Sequence, residues 1–355
     1  MLTAAVFILI LFTAVFVHEL AHYAAARAAG LVARSFSIGF GPVVFRKTYA
    51  GTEWRISLLP LGGYVDIPGM APTVLDDGTV IPPSTGFATR STGRKISILG
   101  AGVVANYIFG SLLLTAAIVL QPGFSGVLSG AEPELLGTEI AAVQEGSAAA
   151  QLGLPAGATI THINEFARPS PEQLVAVIGS ANTLEITYTA AGTTGSITTA
   201  WPLGEERLLG VNITPAFAAL PAGQVAAQSF VFGIRMVPDM VKGFVKGFGS
   251  ALVGQRSEDV AGPIGVVGLV GQAAQAGVAQ VLFLAAVMNF SLAVFNLLPI
   301  PGLDGGRILL TLVTHVRGRP FKPGQEERFH FFGIMAVLLL IVLITFQELA
   351  SLVSG

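Results

Sequence analysis

The sequence predicts a polytopic α-helical membrane protein with four transmembrane helices, a soluble α+β domain inserted after the second helix, and a membrane-associated β-hairpin loop. Only 11% of the 355 residues are charged and 52% are hydrophobic, whereas soluble proteins have about 25% charged residues. Four stretches without Asp, Glu, Lys or Arg are long enough to hold a bilayer-spanning helix, which needs about 20 apolar residues. Between the second and third stretches, the sequence alternates between polar and apolar residues and is rich in turn residues.

The uncharged stretches place the transmembrane helices. We predict spans at residues 1–26, 96–121, 280–299 and 329–347. A cleavable signal peptide is the alternative for the first span. Signal peptides begin with a basic segment, however, and no Lys or Arg precedes Arg27. We therefore expect the first span to be retained.

The basic residues predict the orientation, because Lys and Arg near the spans stay on the cytoplasmic side. The loop at residues 27–95 carries eight of the 19 basic residues, and the loop at residues 300–328 carries five. We expect both loops in the cytoplasm, and both termini and the inserted domain outside it, in the cell (inner) membrane. The net charge of −2 argues against a nucleic-acid partner, which requires a concentrated basic surface. Since the chain has no Cys, thiolate metal sites are excluded.

The inserted domain is predicted at residues 128–215, in the order strand, short helix, strand, helix and hairpin. Residues 146–164, GSAAAQLGLPAGATITHIN, resemble the helix, turn and strand of a PDZ domain. PDZ domains hold peptide ends against a sheet edge. The alternative is an unspecialised α+β insert. Residues 222–258 are apolar at helical spacing and predict an amphipathic helix on the outer membrane surface, with an ordinary packed helix as the alternative.

The pentapeptide His18-Glu19-Leu20-Ala21-His22 ends the first uncharged stretch. Residues i and i+4 share one helix face, so both imidazoles can bind one Zn²⁺, and Glu19 lies beside the metal without being a ligand. Ionisable residues inside a bilayer cost about 2.5–3.5 kcal/mol on insertion scales. The alternative is a set of polar side chains that snorkel to the membrane surface, although Glu is too short to snorkel as far as Arg.

A catalytic zinc needs three protein ligands and one open position. The remaining histidines have no motif around them; they are His162, His315 and His330. Asp304 is the better candidate, because it follows a helix break at Pro299 and Pro301. Irregular backbone at membrane depth is tolerated only where it is buried in protein or lines a wet cavity. The alternative is a loop carboxylate that pairs with Arg307.

These motifs resemble the site-two protease family of intramembrane zinc metalloproteases, of the bacterial regulator-of-sigma-E type with one PDZ domain. The resemblance rests on the HExxH motif, on residues 296–306 (NLLPIPGLDGG), and on residues 39–42, 59–65 and 261–265. Two positions depart from the family pattern. Val103 follows Ala101-Gly102 where the family has Pro, and Gly302 precedes Leu303-Asp304 where the family has Pro.

The resemblance implies cleavage of peptide bonds within single-pass membrane proteins in the lipid bilayer, such as an anti-sigma factor or a remnant signal peptide. The PDZ-like domain would then take peptide ends and filter substrates. Zn²⁺ would be the cofactor, held by His18, His22 and Asp304, with Glu19 as the general base. Asn106 and Asn296, with Pro299 and Pro301, are predicted to position the substrate. For Asn106 the alternative is an interhelical hydrogen bond.

The loop at residues 27–95 predicts β-hairpins whose exposed edge adds an extended substrate segment as another strand. The alternative is a hairpin that only caps the membrane face. For the whole protein, the alternative function is a catalytically inactive zinc-binding membrane scaffold with a PDZ module. A transporter is disfavoured, because the sequence has one broken helix and no internal repeat.

Overall fold

The computed structural model describes residues 2–71, 73–74, 80–81, 83–129, 134–203, 207–253, 261–319, 321–322 and 324–354. The chain divides into two compact units, residues 1–117 with 226–355 and residues 118–225. We call them the helical unit and the sheet unit. Parts of the predicted segments lie outside the described residues, namely residues 1, 72, 75–79, 82, 130–133, 204–206, 254–258, 320 and 323.

The helices of the described residues follow in chain order. They are α1 Leu2–Ala28, α2 Thr92–Leu120, α3 Gly126–Ser129, α4 Ala148–Gln151, α5 Pro171–Ser180, α6 Ala222–Leu252, α7 Pro263–Ala276, α8 Val278–Leu297, α9 Asp304–Arg317 and α10 Gln325–Ser354. The strands are β1 Ser35–Tyr49, β2 Thr52–Asp66, β3 Thr73–Val74, β4 Val80–Ile81, β5 Leu135–Val143, β6 Thr159–Ile163, β7 Phe166–Ala167, β8 Thr183–Ala190, β9 Thr193–Ala200 and β10 Val211–Phe217.

Four helices, α1, α2, α8 and α10, are long and apolar enough to cross a membrane. Their outward faces expose large apolar side chains, including Leu9, Leu112 and Phe346. Apolar surface on so many sides is typical of helices that face lipid. A helix also satisfies its own backbone hydrogen bonds, which the bilayer interior cannot do. The predicted set of four apolar spanning helices is confirmed at this level.

Helix α7 lies in a segment, residues 259–279, to which the sequence analysis assigns no element. Val270 of α7 packs with Ile10 of α1 and Ala285 of α8 in one buried cluster. The helix is separated from α8 only by Gly277, whose φ of +125° is a conformation that side chains rarely adopt. The described part of the predicted amphipathic segment forms α6.

In the helical unit, β1 and β2 pair with each other to form a bent sheet. Residues 35–38 pair with both residues 53–56 and residues 63–66, while residues 43–49 pair with residues 52–57. Gly39 and Gly62 have positive φ values where the strands bend. Phe36 and Ile38 pack with Val15 of α1 in a buried cluster. This contact fixes one end of the sheet beside the helix that carries the HExxH motif.

The sheet unit contains a six-stranded sheet of order β10-β5-β6-β8-β9, with β7 paired to β6. Helix α5 begins with a capping box formed by Ser170 and Gln173, which satisfies free N–H groups of its first turn. Leu174 and Val177 of this helix belong to the buried core together with Ile160 of β6. The predicted insertion of a β-sheet region between the second and third spans is confirmed.

Candidate metal centre

Three polar side chains converge where α1, α2 and the start of α9 meet. The Nε2 atoms of His18 and His22 lie 3.1 Å and 3.2 Å from Oδ2 of Asp304, and they are 3.1 Å apart. Both histidines are buried. Among the described residues, this trio is the one group of three or more His, Asp or Glu side chains whose ligand atoms lie close enough together to hold a metal ion. The described ion-pair contacts of Asp304 are with the imidazoles and not with Arg307.

The trio fits a tetrahedral zinc ion. The Nδ1 atom of His22 lies 2.8 Å from the carbonyl oxygen of Ile98, so it donates its proton there and leaves a lone pair on Nε2. Oδ2 of Asp304 is buried without a hydrogen-bond donor among the described residues. Ligand atoms at about 2.1 Å from a tetrahedral zinc lie about 3.4 Å from one another. Converging acceptors at this spacing repel each other unless a cation lies between them.

Gly102 of α2 allows this close packing around the histidines. A Cβ atom at position 102 would lie 2.5 Å from His22 Nε2 and 2.6 Å from His18 Cε1. The backbone of α2 therefore passes directly over both imidazoles, which requires glycine. Val103, one of the two departures from the family pattern, is a buried residue inside the continuous helix α2, where it leaves the helical hydrogen bonding intact.

Asp304 is presented by the break that follows α8. This helix ends at Leu297, and α9 begins at Asp304 itself. The chain turns so tightly that a Cβ atom at Gly305 would overlap the carbonyl oxygens of Leu297 and Leu298. Gly302, the second departure, has φ +96°, which glycine adopts without strain. The predicted substrate-positioning residues Pro299 and Pro301 lie in this same break.

Helix α10 supports the break from the other side. The backbone N–H of Gly302 donates a hydrogen bond to His330 Nδ1 over 2.9 Å. A Cβ atom at Gly333 would overlap Pro301, so the proline segment lies in a notch on α10. Sequence reasoning assigned no role to His330 or Gly333. The sequence does hold a signal for this contact. His330 and Gly333 lie three residues apart in the first turns of the fourth span, so they share a helix face.

Glu19 lies outside the set of converging ligand atoms and beside the hairpin sheet. A Cβ atom at Gly63 of β2 would lie 3.1 Å from Glu19 Cγ and 2.8 Å from the carbonyl oxygen of Ser37. Gly63 therefore allows the strand at residues 63–66 to pass directly against Glu19. A half-buried carboxylate next to, but not within, the metal-binding trio has the placement of a general base.

The comparisons with known proteins agree with this geometry. The family model described as peptidase family M50 matches residues 6–341. The chain belongs to peptidase family M50. It is 30% identical to a putative zinc metalloprotease of Nostoc sp., over 98% of this chain and 96% of that protein. It is 26% identical to the zinc metalloprotease RasP of Shouchella clausii, over 99% and 100%. It is 25% identical to the regulator of sigma-W protease RasP of Bacillus subtilis, over 99% of each chain.

This M50 peptidase is therefore a zinc metalloprotease of the site-two protease family, and the predicted family and enzyme class are confirmed. The names of these relatives imply zinc as the metal. They do not say which side chains hold it, so the roles of individual residues in this M50 peptidase rest on the geometry above.

The two predicted asparagines occupy different surroundings in this M50 peptidase. Asn106 is fully buried on α2, and neither amide atom has a hydrogen-bond partner among the described residues. Because it lies four residues after Gly102, it shares the helix face that contacts the histidines. Asn296 lies in the last turn of α8 and is half-buried. Asn289, which the sequence analysis did not single out, is fully buried and donates to the carbonyl oxygen of Ala285 over 2.8 Å.

Proposed function

We propose that this M50 peptidase hydrolyses peptide bonds within the transmembrane segments of single-pass membrane proteins. His18, His22 and Asp304 hold Zn²⁺, and Glu19 is the general base. One observation carries the proposal: three ligand atoms converge within 3.1–3.2 Å at the end of an apolar helix, with a carboxylate beside them. The side chains that would hold the metal, a candidate catalytic base and an apolar helix thus occur together.

The reaction divides between the metal and the protein side chains. A zinc ion in this site would polarise the scissile carbonyl and lower the pKa of a coordinated water toward about 7. Glu19 takes one proton from the attacking water and delivers it to the leaving nitrogen as the C–N bond breaks. The water oxygen forms the new C–O bond, and the second fragment leaves as an amine.

The substrate must be extended before it reacts, because a helical peptide bond is hydrogen-bonded and shielded. In the described pairings, residues 63–66 pair with residues 35–38 and form an edge of the hairpin sheet. A substrate segment added to this edge as a further strand would run past Glu19, which Gly63 contacts. This contact favours substrate addition over the alternative in which the hairpin only caps the membrane face.

The buried amide of Asn106 is well suited to hold the substrate backbone. A buried amide without hydrogen bonds costs about 1–3 kcal/mol, and the backbone groups of an unwound substrate would satisfy it. Its lack of an interhelical partner among the described residues favours this role over helix-to-helix bonding. Asn296, Pro299 and Pro301 shape the wall that carries Asp304, and we assign them a positioning role.

The orientation follows from the positive charges. The loops at residues 27–95 and 300–328 lie in the cytoplasm, so the metal centre faces the cytoplasmic side of the cell membrane. Both termini and the sheet unit are extracytoplasmic. The sheet unit is a PDZ-like domain that takes peptide ends. A relative in Bacillus subtilis carries the name regulator of sigma-W protease, which is consistent with an anti-sigma factor as the substrate; a remnant signal peptide has the same single-pass form.

The test compares Glu19→Gln with the wild-type protein on a membrane-embedded reporter. Glu19→Gln should keep the zinc content and lose at least about 99% of the cleavage rate, because general acid-base groups contribute about 10²–10⁴-fold. Glu145→Gln makes the same chemical change at an exposed position of the sheet unit and should cleave normally. Continued cleavage by Glu19→Gln would overturn the mechanism. A wild-type protein that binds zinc but cleaves no reporter would support the inactive scaffold instead.

A further inference from the structure

Arg307 lies one helical turn after Asp304 on α9. Residues i and i+3 are neighbours on a helix surface, so its side chain leaves the helix on the side of the metal-binding trio. Arg307 also lines a polar cavity of about 530 Å³ together with Tyr64, Val65 and Asp66, which belong to the strand edge proposed to receive the substrate.

The guanidinium of Arg307 has no carboxylate within 4 Å among the described residues, and its described hydrogen bond is to Met70 Sδ at 3.1 Å. A thioether sulfur is a weak acceptor, and the other N–H donors of this side chain have no acceptor among the described residues. The other two arginines of the cavity are paired with acids. Nη1 of Arg34 lies 3.9 Å from Oδ1 of Asp66.

The third arginine of the cavity, Arg55, donates a hydrogen bond to Glu53 over 2.8 Å. This hydrogen bond holds the pKa of the Glu53 carboxyl below its usual range. Arg55 is thus already engaged by an internal anion. Among the cavity arginines of the described chain, Arg307 is the one with no carboxylate within 4 Å.

Peptide hydrolysis creates an anion. The substrate amide is neutral, whereas the fragment on the carbonyl side of the cut ends in a new carboxylate, formed at the metal centre. A planar guanidinium binds a carboxylate through two parallel hydrogen bonds. We propose that Arg307 binds the new terminal carboxylate of the cleaved substrate, so that this side chain recognises the product and not the intact chain. The inference rests on the proposed function.

The competing explanation is structural. Arg307 would then only tie α9 to the segment around Met70. In that case its replacement would weaken every ligand equally, because it would disturb the shape of the cavity. A product carboxylate subsite predicts a selective loss, confined to ligands that end in a negative charge.

The experiment uses two synthetic peptides with the sequence of the amino-terminal product of the reporter. One peptide ends in a free carboxylate and the other in a carboxamide. Binding is measured directly, by fluorescence anisotropy, to the zinc-loaded full chain carrying Glu19→Gln, so that no cleavage occurs. Because a zinc ion also attracts carboxylates, the quantity that matters is the change in the ratio of acid to amide affinity.

Adding Arg307→Gln should lower the ratio of acid to amide affinity about tenfold or more, since a charge-assisted hydrogen bond is lost, and should change amide binding less than about twofold. Arg307→Lys should recover part of the preference for the acid, because lysine keeps the positive charge but lacks the planar guanidinium with its two parallel N–H donors. Arg34→Gln is the matched control and should leave the ratio unchanged.

An unchanged ratio in Arg307→Gln, or equal weakening of both peptides, would overturn the inference, as would the absence of any acid preference in the parent protein. Reporter cleavage by the wild-type protein is measured separately. If the reporter is cleaved while the ratio does not respond to Arg307→Gln, the proposed function stands and only the role of Arg307 fails.

Discussion

The backbone N–H of Gly302 donates a hydrogen bond to Nδ1 of His330 over 2.9 Å, and this bond joins α10 to the break that carries Asp304. Gly302 is two residues before Asp304, so a shift in this bond moves the carboxylate relative to the imidazoles. Metal sites depend on such supporting contacts, because they fix the geometry of the side chains that bind the metal.

Replacing His330 with Ala should lower zinc affinity about tenfold, within the 10–100-fold range for residues that support metal sites. The Gly302 N–H loses its acceptor, and the break is held less firmly. His330→Asn is the matched control, since its side-chain oxygen can accept from the same N–H and should restore most of the affinity. Competition with a chromogenic chelator measures the affinity. Equal losses in both variants would show that this hydrogen bond does not support the site.

Gly102→Ala should bind no zinc at micromolar zinc concentrations, and it should not cleave the reporter. The added methyl group would lie 2.5 Å from His22 Nε2 and 2.6 Å from His18 Cε1, so the imidazoles must move apart. Gly100→Ala, one half-turn earlier in the same helix, meets nothing within 4 Å. It should retain full activity and gain about 0.5–1 kcal/mol of helix stability. Normal zinc content in Gly102→Ala would contradict the close approach of α2.

The spanning helices and the metal-binding trio can both be predicted from where charged residues fall along the sequence. Uncharged stretches mark the helices, and Glu19 and Asp304 stand at the ends of such stretches. An acid at such a position costs free energy unless it has a partner. Glu19 and Asp304 are far apart in the chain, but the sequence alone therefore places them in one site.

The contacts around the trio were not predictable in the same way. Gly102 and His330 act through helices that pack against the site, and no periodicity of a single helix says which neighbour its glycine will touch. Helix α7 was missed because it lies with α8 in one continuous uncharged stretch, residues 260–303, where no charge marks the boundary at Gly277.

Glu348 joins the end of α10 to the start of α7. Its carboxylate accepts hydrogen bonds from the backbone N–H groups of Gly262, Ile264 and Gly265 over 2.8–3.1 Å. N–H groups at the start of a helix have no acceptor within the helix, and a negative charge is favourable there. This contact also gives a structural reason for the glycines of residues 261–265, because a Cβ atom at Gly262 or Gly265 would lie 2.6–2.7 Å from an oxygen of Glu348.

We expect Glu348→Ala to destabilise the protein by about 1–3 kcal/mol, because buried N–H groups lose a charged acceptor. Glu348→Gln retains one acceptor oxygen and should lose less. Thermal unfolding in detergent measures the change, with Glu145→Ala as an exposed control. An unfolding temperature for Glu348→Ala equal to that of the control would mean that water or lipid replaces the carboxylate at no cost.

Removing zinc should lower the unfolding temperature as well as stop cleavage. A metal that binds only the folded state stabilises it by about 2.7 kcal/mol at a free concentration 100 times its dissociation constant. Without the cation, the two Nε2 atoms and Oδ2 of Asp304 face one another at 3.1–3.2 Å as uncompensated acceptors. Zinc added back after chelation should restore both the unfolding temperature and cleavage.

The Asp304→Ala variant separates metal binding at the trio from binding elsewhere on the chain. It lacks one of the three converging ligand atoms, so its unfolding temperature should no longer respond to zinc. Asp239→Ala removes an exposed acid of α6 whose described ion pair is with Lys242, and its response to zinc should equal that of the wild type. If Asp304→Ala were stabilised by zinc as strongly as the wild type, the trio would not be the zinc site.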